Sequence, residues 1–128
     1  MLQALFIDND EGSLVLFREI CAQMQIGYTG IQHPSQIEKV IPTLSPIDIV
    51  LLDLEMPNMN GYQVLSLLRT YPSFQKLSIV ACTVHTEAAE RAQAAGFNSF
   101  IIKPIDIDRF PEQLIAILNG QMIWEKSH

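Results

Sequence analysis

The sequence predicts an α/β fold, one parallel sheet with helices on both of its faces. Short apolar runs alternate five times with longer amphipathic stretches, and no repeat, low-complexity tract or Gly/Ser linker divides the chain. Strands that pair in parallel need crossovers, and the amphipathic stretches supply them. A chain of 128 residues, 48% of them hydrophobic, holds one core and is short for two.

Residues 4–7 form an unbroken apolar run stopping at Asp8, the pattern of a strand buried on both faces. An amphipathic helix follows over residues 13–25, with Leu14, Phe17, Cys21 and Met24 at helical spacing. Residues 28–32, with Gly27 before them and Gly30 among them, carry a fainter strand pattern. Pro34 starts a short helix that places Ile37, Val40 and Ile41 on one face and has Pro42 near its end. Residues 49–52 are apolar and stop at Asp53. Asn60-Gly61 opens a helix carrying Val64, Leu65 and Leu68, and Tyr71-Pro72 closes it. Residues 77–82 read as a strand running into Thr83. Thr86 is the expected N-cap of the next helix, with Glu87 and Glu90 in its first turns and Gly96 just past its end. A last apolar run, residues 100–102, stops at Lys103-Pro104, and Asp106 or Asp108 caps a final helix through Leu114, Ile117 and Leu118 to Gly120. The expected organisation is one domain over residues 1–120 and a C-terminal tail over 121–128, whose Trp124 packs on the last helix or serves a partner.

Composition excludes several function classes. A formal charge of −6 argues against binding nucleic acid, which needs a basic face to displace counterions from phosphates. No apolar run approaches the roughly 20 residues that span a bilayer, and the opening Met1-Leu2-Gln3-Ala4 lacks the basic-then-apolar order of a signal peptide. Cys21 and Cys82 lie in apolar stretches without metal-ligand spacing and read as buried reduced thiols of a cytoplasmic protein. His33, His85 and His128 stand alone and read as surface residues.

The chemistry is carried by the residues just past each apolar run. Asp8, Asn9 and Asp10 come after the first, Asp53 after the third, Thr83 after the fourth and Lys103 after the fifth. A parallel sheet gathers these carboxyl ends along one edge, where ligands of such sheets bind. Carboxylates with one lysine and one hydroxyl are the composition of a phosphoryl-transfer site. The acids suit Mg²⁺, the lysine neutralises phosphate charge, and the hydroxyl donates a hydrogen bond to it. A carboxylate can itself be the nucleophile. Asp53 is the candidate, since it ends the expected central strand ahead of the loop of residues 54–61, which Pro57 stiffens and Gly61 closes tightly. Singly, each residue has a plain role open to it. The aspartates could be caps or turn residues, Lys103 a solvated turn residue and Phe100 core. Only their joint placement argues for chemistry.

These pieces resemble the response regulator receiver domain of two-component signalling over nearly the whole chain. The matching segments are Phe6-Ile7-Asp8-Asn9-Asp10, the stretch from Ile49 through Asp53 to Met56-Pro57 with Gly61, Ile79 to Thr83, and Gly96 to Lys103-Pro104. The resemblance implies a flavodoxin-like doubly wound (βα)5 sandwich whose five-stranded parallel sheet has the order 2-1-3-4-5. It implies that Asp53 is the phosphoacceptor, charged by a sensor histidine kinase or a histidine phosphotransfer protein. Mg²⁺ would be held by Asp8, Asp53, the backbone carbonyl of Glu55 and the residue at Asn9. Lys103 would pair with the phosphoryl group, and Thr83 would turn its hydroxyl toward it while Phe100 swings inward. The output would be a changed surface on the fourth helix, fifth strand and fifth helix, read by a downstream protein target and open to homodimerisation. Such a domain is a signalling switch, not an enzyme.

Three positions depart from the family pattern. Asn9 stands where a second acid is usual, which implies weaker Mg²⁺ binding and slower phosphorylation, with Asp10 a partial substitute. Val84 replaces a smaller residue and narrows access to Asp53. Phe100 replaces a common tyrosine and cannot hydrogen-bond a partner. Glu55 and His85 occupy positions that tune phosphate lifetime in the family. Two other functions compete. Asn9 favours a receiver-like interaction module that works without phosphate. Asp8-Asn9-Asp10 also resembles the opening motif of haloacid-dehalogenase-like phosphatases, with Asp8 as nucleophile and Asp10 as acid/base, but Gly12 breaks that match. With no output domain after Gly120, the expectation is either a stand-alone receiver or a fragment of a larger regulator or hybrid kinase.

Overall fold

In a computed structural model, residues 1–126 are described; Ser127 and His128, the end of the expected tail, lie outside the described residues. Five parallel strands, β1 (Gln3–Ile7), β2 (Gly27–Ile31), β3 (Ile49–Asp53), β4 (Ser78–Thr83) and β5 (Ser99–Ile102), form one sheet in the order β2-β1-β3-β4-β5. Four helices separate them and a fifth follows β5: α1 (Glu11–Gln23), α2 (Ile37–Val40), α3 (Gly61–Leu68), α4 (Ala89–Ala95) and α5 (Phe110–Leu118). This is the doubly wound flavodoxin-like arrangement expected from the sequence.

Side-chain alternation along the strands sorts the core into two layers. Leu5, Ile7, Val50, Leu52, Ile79 and Ala81 pack with Ile37 of α2, Val64, Leu65 and Leu68 of α3, and Ala92 of α4. Ala4, Phe6, Leu51, Val80 and Ile101 pack with Leu14, Phe17 and Cys21 of α1 and Phe110, Leu114 and Ile117 of α5. The rings of Phe6 and Phe17 stack at 4.5 Å between centroids, inside the second layer. β2 is an edge strand with Ile31 its one fully buried residue, which is why its hydrophobic signal is faint. Both cysteines are buried and free. Burial pushes the Cys21 thiol up to about 11 and that of Cys82 further. Among the described residues, no helix is long and apolar enough to cross a membrane.

The registers fix the functional edge. Ile7 pairs Leu52, Asp53 pairs Cys82 and Thr83 pairs Ile102. Asp8, Asp53, Thr83 and Lys103 therefore emerge side by side.

Four local expectations are corrected. Helix α1 starts at Glu11, two residues before Ser13, because Asp10 caps it by accepting hydrogen bonds from the Ser13 N–H at 3.2 Å and hydroxyl at 2.8 Å. Thr86 does not cap α4. It opens a 3-10 turn, Thr86–Ala88, that runs directly into α4, and the Ala88 N–H donates to the His85 carbonyl, so no side-chain acceptor is needed. Trp124 does not pack on the last helix. Residues 121–126 fold back to the outer edge of β5, where Trp124 bridges Phe100 in parallel. Neither Asp106 nor Asp108 caps α5: its N-cap position is Arg109, without a side-chain cap, and the Asp106 carboxylate instead accepts from the N–H groups of Asp108 and Arg109 in the turn before the helix.

Arg69 carries no signal in the sequence, yet it ties two loops together. Its Nη1 donates to the carbonyls of Phe74 at 2.6 Å and Leu77 at 2.8 Å, and its Nη2 donates to Asn98 Oδ1 at 2.9 Å. Asn98 Oδ1 also accepts the Ile79 N–H, so the guanidinium joins the approach to β4 with the turn before β5. Arg69→Ala is expected to lower unfolding free energy by about 2 kcal/mol, because the stranded carbonyls lose a charged donor. Arg69→Lys should recover less than half, since an ammonium lacks the planar fork. Urea unfolding of the three proteins measures both values.

Candidate functional site

An open cleft of about 700 Å³ lies over the carboxyl ends of the strands, lined by Asn9, Asp53, Met56, Pro57, Thr83 and Lys103 among others. The loop after β3 shapes one wall. Asn60 and Gln63 form a reciprocal capping box at the start of α3, and the Gly61 N–H donates to the Leu54 carbonyl at 3.0 Å. That pairing draws the helix N-terminus against the backbone of Asp53.

Asp8 and Asp53 are both buried, with 2% and 7% of their surface exposed. Lys103 Nζ donates to Asp8 Oδ2 at 2.5 Å and lies 3.6 Å from Asp53 Oδ2, so one cation serves two carboxylates. Asp8 Oδ1 accepts the Asp10 N–H at 2.9 Å, and Asp53 Oδ1 accepts the Glu55 N–H at 3.1 Å. The peptide between Lys103 and Pro104 is cis. Burial raises the pKa of Asp53 to about 6, helped by the charge of Asp8 and opposed by Lys103. Burial works against the Lys103 charge, but its hydrogen bond to Asp8 and the two carboxylate charges outweigh it and raise its pKa.

Asn9 takes a specific position in this cluster. With its amide oriented to satisfy its neighbours, Nδ2 donates to Asp53 Oδ2 at 3.0 Å and to the Glu55 carbonyl at 3.1 Å. Those two oxygens, with Asp8, are the ones the family resemblance implies for Mg²⁺. The donor set is two carboxylates, a backbone carbonyl and an amide, all able to offer hard oxygen ligands, and it suits Mg²⁺ once the Asn9 amide presents its oxygen instead of its NH₂. Among the described residues, no group of three or more His, Cys, Asp or Glu side chains is placed to hold a metal ion.

The other expected residues fall around this centre. Thr83 is buried, and its Oγ1 accepts the His85 N–H at 3.1 Å. Val84 is 57% exposed at the mouth of the cleft, where it borders access to Asp53. Glu55 Oε1 sits 2.5 Å from His85 Nε2, so these two side chains meet at the rim. Asp10 borders the cleft but spends its carboxylate on Ser13, whose hydroxyl lowers its pKa. Phe100 is fully buried, with its N–H and carbonyl both bonded to residues 123 and 125.

An ionised carboxylate that is harder to ionise when folded costs stability. The Asp53 pKa stands above its ordinary 3.8, so its contribution is fully favourable below that value and is lost as pH rises through about 6. Asp53→Asn is therefore expected to be more stable than the parent at pH 7 by roughly 1–2 kcal/mol. The difference should vanish near pH 4. Thermal unfolding followed at both pH values checks the sign.

Fold and cleft together define a doubly wound domain with an acid–lysine site at the carboxyl edge of its sheet. The chain belongs to the response regulator receiver domain family, whose model matches residues 4–115. It is 30% identical over 80 residues to the signal transduction histidine-protein kinase BarA of Escherichia coli, a match covering 61% of this chain and 9% of that protein. It is 28% identical over 123 residues to the probable chemotaxis protein CheY of Rhizobium etli, covering 93% of this chain and 94% of that one. The chain thus spans a small part of one relative and nearly the whole of the other. The crystal structure of chemotaxis protein CheY4 of Vibrio cholerae superposes with a TM-score of 0.83 at 16% identity, covering 91% of this chain and 98% of that chain.

Proposed function

We propose that this receiver domain takes a phosphoryl group from a phosphohistidine onto Asp53 and switches a protein-binding surface in response. The observation that carries this reading is the Asp53 carboxylate itself. It is held at the end of the central strand, with Oδ1 fixed by the Glu55 N–H and Oδ2 facing Lys103 across 3.6 Å in an open cleft. Oδ2 attacks phosphorus, the P–N bond of the phosphohistidine breaks, and its electron pair returns to the imidazole nitrogen, which takes up a proton. Lys103 balances the charge that accumulates on the phosphoryl oxygens. Thr83, in the wall of the cleft, supplies a hydroxyl to one of them. Asp8 keeps Lys103 protonated and aimed. Asp8, Asp53, the Glu55 carbonyl and the Asn9 amide oxygen would hold Mg²⁺, which would supply charge neutralisation at the phosphoryl oxygens.

The donor in this reading is a sensor histidine kinase or a histidine phosphotransfer protein, in keeping with the similarity to BarA. The readout is a downstream protein, or a second copy of the chain, at the surface of α4, β5 and α5. The domain works as a cytoplasmic phosphorylated switch, not as an enzyme acting on an external substrate, and its net charge of −6 leaves nucleic acid to other chains. One observation favours a second reading, a module that binds partners without phosphate: the Asn9 amide already satisfies the oxygens of Asp53 and Glu55.

Intact-protein mass after incubation with a small phosphodonor separates these readings. A Mg²⁺-dependent phosphoryl adduct on the parent and none on Asp53→Asn is the expected result. No adduct in the folded parent, with donor or with several kinases, leaves the phosphate-independent module. An adduct kept by Asp53→Asn and lost in Asp8→Asn would move the nucleophile to Asp8 and revive the phosphatase reading.

A further inference from the structure

Residues 121–126 make a second feature that the phosphoacceptor site does not use. After α5 the chain turns at Gly120, whose φ of +94° is the left-handed region, and returns along the outer edge of β5. The pairing there is parallel and specific. The Phe100 N–H donates to the Ile123 carbonyl at 2.7 Å, and the Glu125 N–H donates to the Phe100 carbonyl at 3.0 Å. The Ile123 N–H donates to Ser99 Oγ at 3.0 Å. Trp124, half-buried, packs against the layer formed with α2, α3 and α4, while Ile123 packs against the layer formed with α1 and α5.

The Glu125 side chain completes the contact. Its Oε1 accepts the Ile102 N–H at 2.8 Å, its Oε2 accepts Gln113 Nε2 at 3.0 Å, and Arg109 Nη1 stands 3.6 Å away. Only 17% of this side chain is exposed. A strand N–H, a carboxamide and a guanidinium converging on one carboxylate make a receptor for an acid, built from β5 and α5. Beside it run the backbone groups of an edge strand and a slot for an aromatic ring. That is how strand addition recognises a peptide: main-chain bonds supply affinity, and side-chain positions supply specificity.

We propose that the edge of β5, with its carboxylate niche, is a strand-addition site for an extended peptide carrying an apolar–aromatic–acidic triplet, and that Ile123-Trp124-Glu125 fills it in cis. The occupant in trans is a partner's segment of the same chemistry. The cis segment yields because it is one residue pair deep in the sheet and hangs from a glycine turn, with Met122 left 65% exposed. An open edge strand would otherwise present unpaired N–H and C=O groups, so the cis segment also protects the chain from edge pairing. The site does not require Asp53 to be phosphorylated, so its test stands apart from that of the phosphoacceptor.

Two measurements decide the matter. In the unmodified chain, the Phe100, Ile102 and Glu125 amides are expected to exchange with solvent as a group, at least tenfold faster than those of Leu5 and Val50 in the sheet centre. Exchange of all five at one global rate would mean the segment is a fixed part of the sheet and would overturn the proposal. In the second, a blocked peptide of sequence Gln-Met-Ile-Trp-Glu-Lys is titrated into the full chain carrying Ile123→Ser, Trp124→Ala and Glu125→Ala together. Saturable shifts of the Phe100 and Ile102 amides are expected. Binding should be roughly tenfold or more weaker to the unmodified chain, where the tethered segment competes at millimolar effective concentration. A peptide with Gln in place of Glu should bind several-fold more weakly to the triple variant. Equal binding to both chains, or no shift of either amide in a folded variant, would sink the proposal. If the triple variant does not fold, the exchange pattern of the unmodified chain decides alone.

Discussion

Asn9→Asp is expected to tighten Mg²⁺ binding by at least tenfold and to speed phosphorylation of Asp53 by a small phosphodonor at limiting Mg²⁺. Two effects add. The substitution places a negative charge among oxygens already assigned to the cation, and a unit charge pair at about 4 Å near a protein surface interacts by up to roughly 4 kcal/mol. Water in the open cleft reduces that, and a gain of about 1.4–3 kcal/mol, ten- to a hundredfold, is the expected remainder. The substitution also removes the NH₂ group that now donates to Asp53 Oδ2 and the Glu55 carbonyl. Asn9→Ala separates the two effects, since it removes the amide without adding charge. If the parent amide serves the metal through its oxygen at no cost, Ala weakens binding. If the NH₂ must first be turned away from its acceptors, Ala binds at least as tightly as the parent. Calorimetric Mg²⁺ titration of the three proteins gives the ranking, and an unchanged affinity in Asn9→Asp would show that Asn9 does not face the cation. Without metal, the aspartate variant should be less stable than the parent by about 1 kcal/mol, because three carboxylates then share one lysine.

Which residues announce themselves in the sequence follows from the same physics as the orientation of the Asn9 amide. Asp8, Asp53, Thr83 and Lys103 are legible because each ends an apolar run, and a run buried on both faces announces where its strand stops. Strand order rests on family resemblance, since local pattern does not say which strands are neighbours. The orientation of the Asn9 amide is decided by acceptors from β3 and its loop, far away in sequence. Arg69 is invisible for a similar reason: its partners are backbone carbonyls and Asn98, none of which a charge pattern can announce. Residues 121–126 have too short an apolar run to read as a strand, and their pairing depends on a carboxylate niche assembled by β5 and α5. Thr86 misleads because its residue type is a good cap, whereas a 3-10 turn already satisfies the backbone there.

Gly61→Ala is expected to destabilise the fold by about 3 kcal/mol and to impair Asp53 in the protein that remains folded. A Cβ on Gly61 would lie 2.6 Å from the Asp53 carbonyl oxygen and 2.7 Å from Leu54 Cα, both backbone atoms, and 2.9 Å from Leu54 Cδ2. Backbone at the end of the central strand cannot step aside without carrying the Asp53 side chain with it, so the strain falls on the site or on the start of α3. Overpacking of this kind costs roughly 1–3 kcal/mol, and the rigid neighbours put this case at the upper end. The midpoint of thermal unfolding should fall by about 10 °C. Gly12→Ala is the natural control, since it makes the same chemical change within α1 and its Cβ would meet only the Asp10 carboxylate, at 3.7 Å. Helix propensity then dominates, and that variant should gain up to about 1 kcal/mol. Two glycines with opposite signs would show that the close approach at Asp53, and not a general intolerance of alanine, is what Gly61 provides. A phosphorylation rate in Gly61→Ala that fell no further than its folded fraction would restrict the role of this glycine to stability; a larger fall would tie the helix N-terminus directly to the geometry of the acceptor carboxylate.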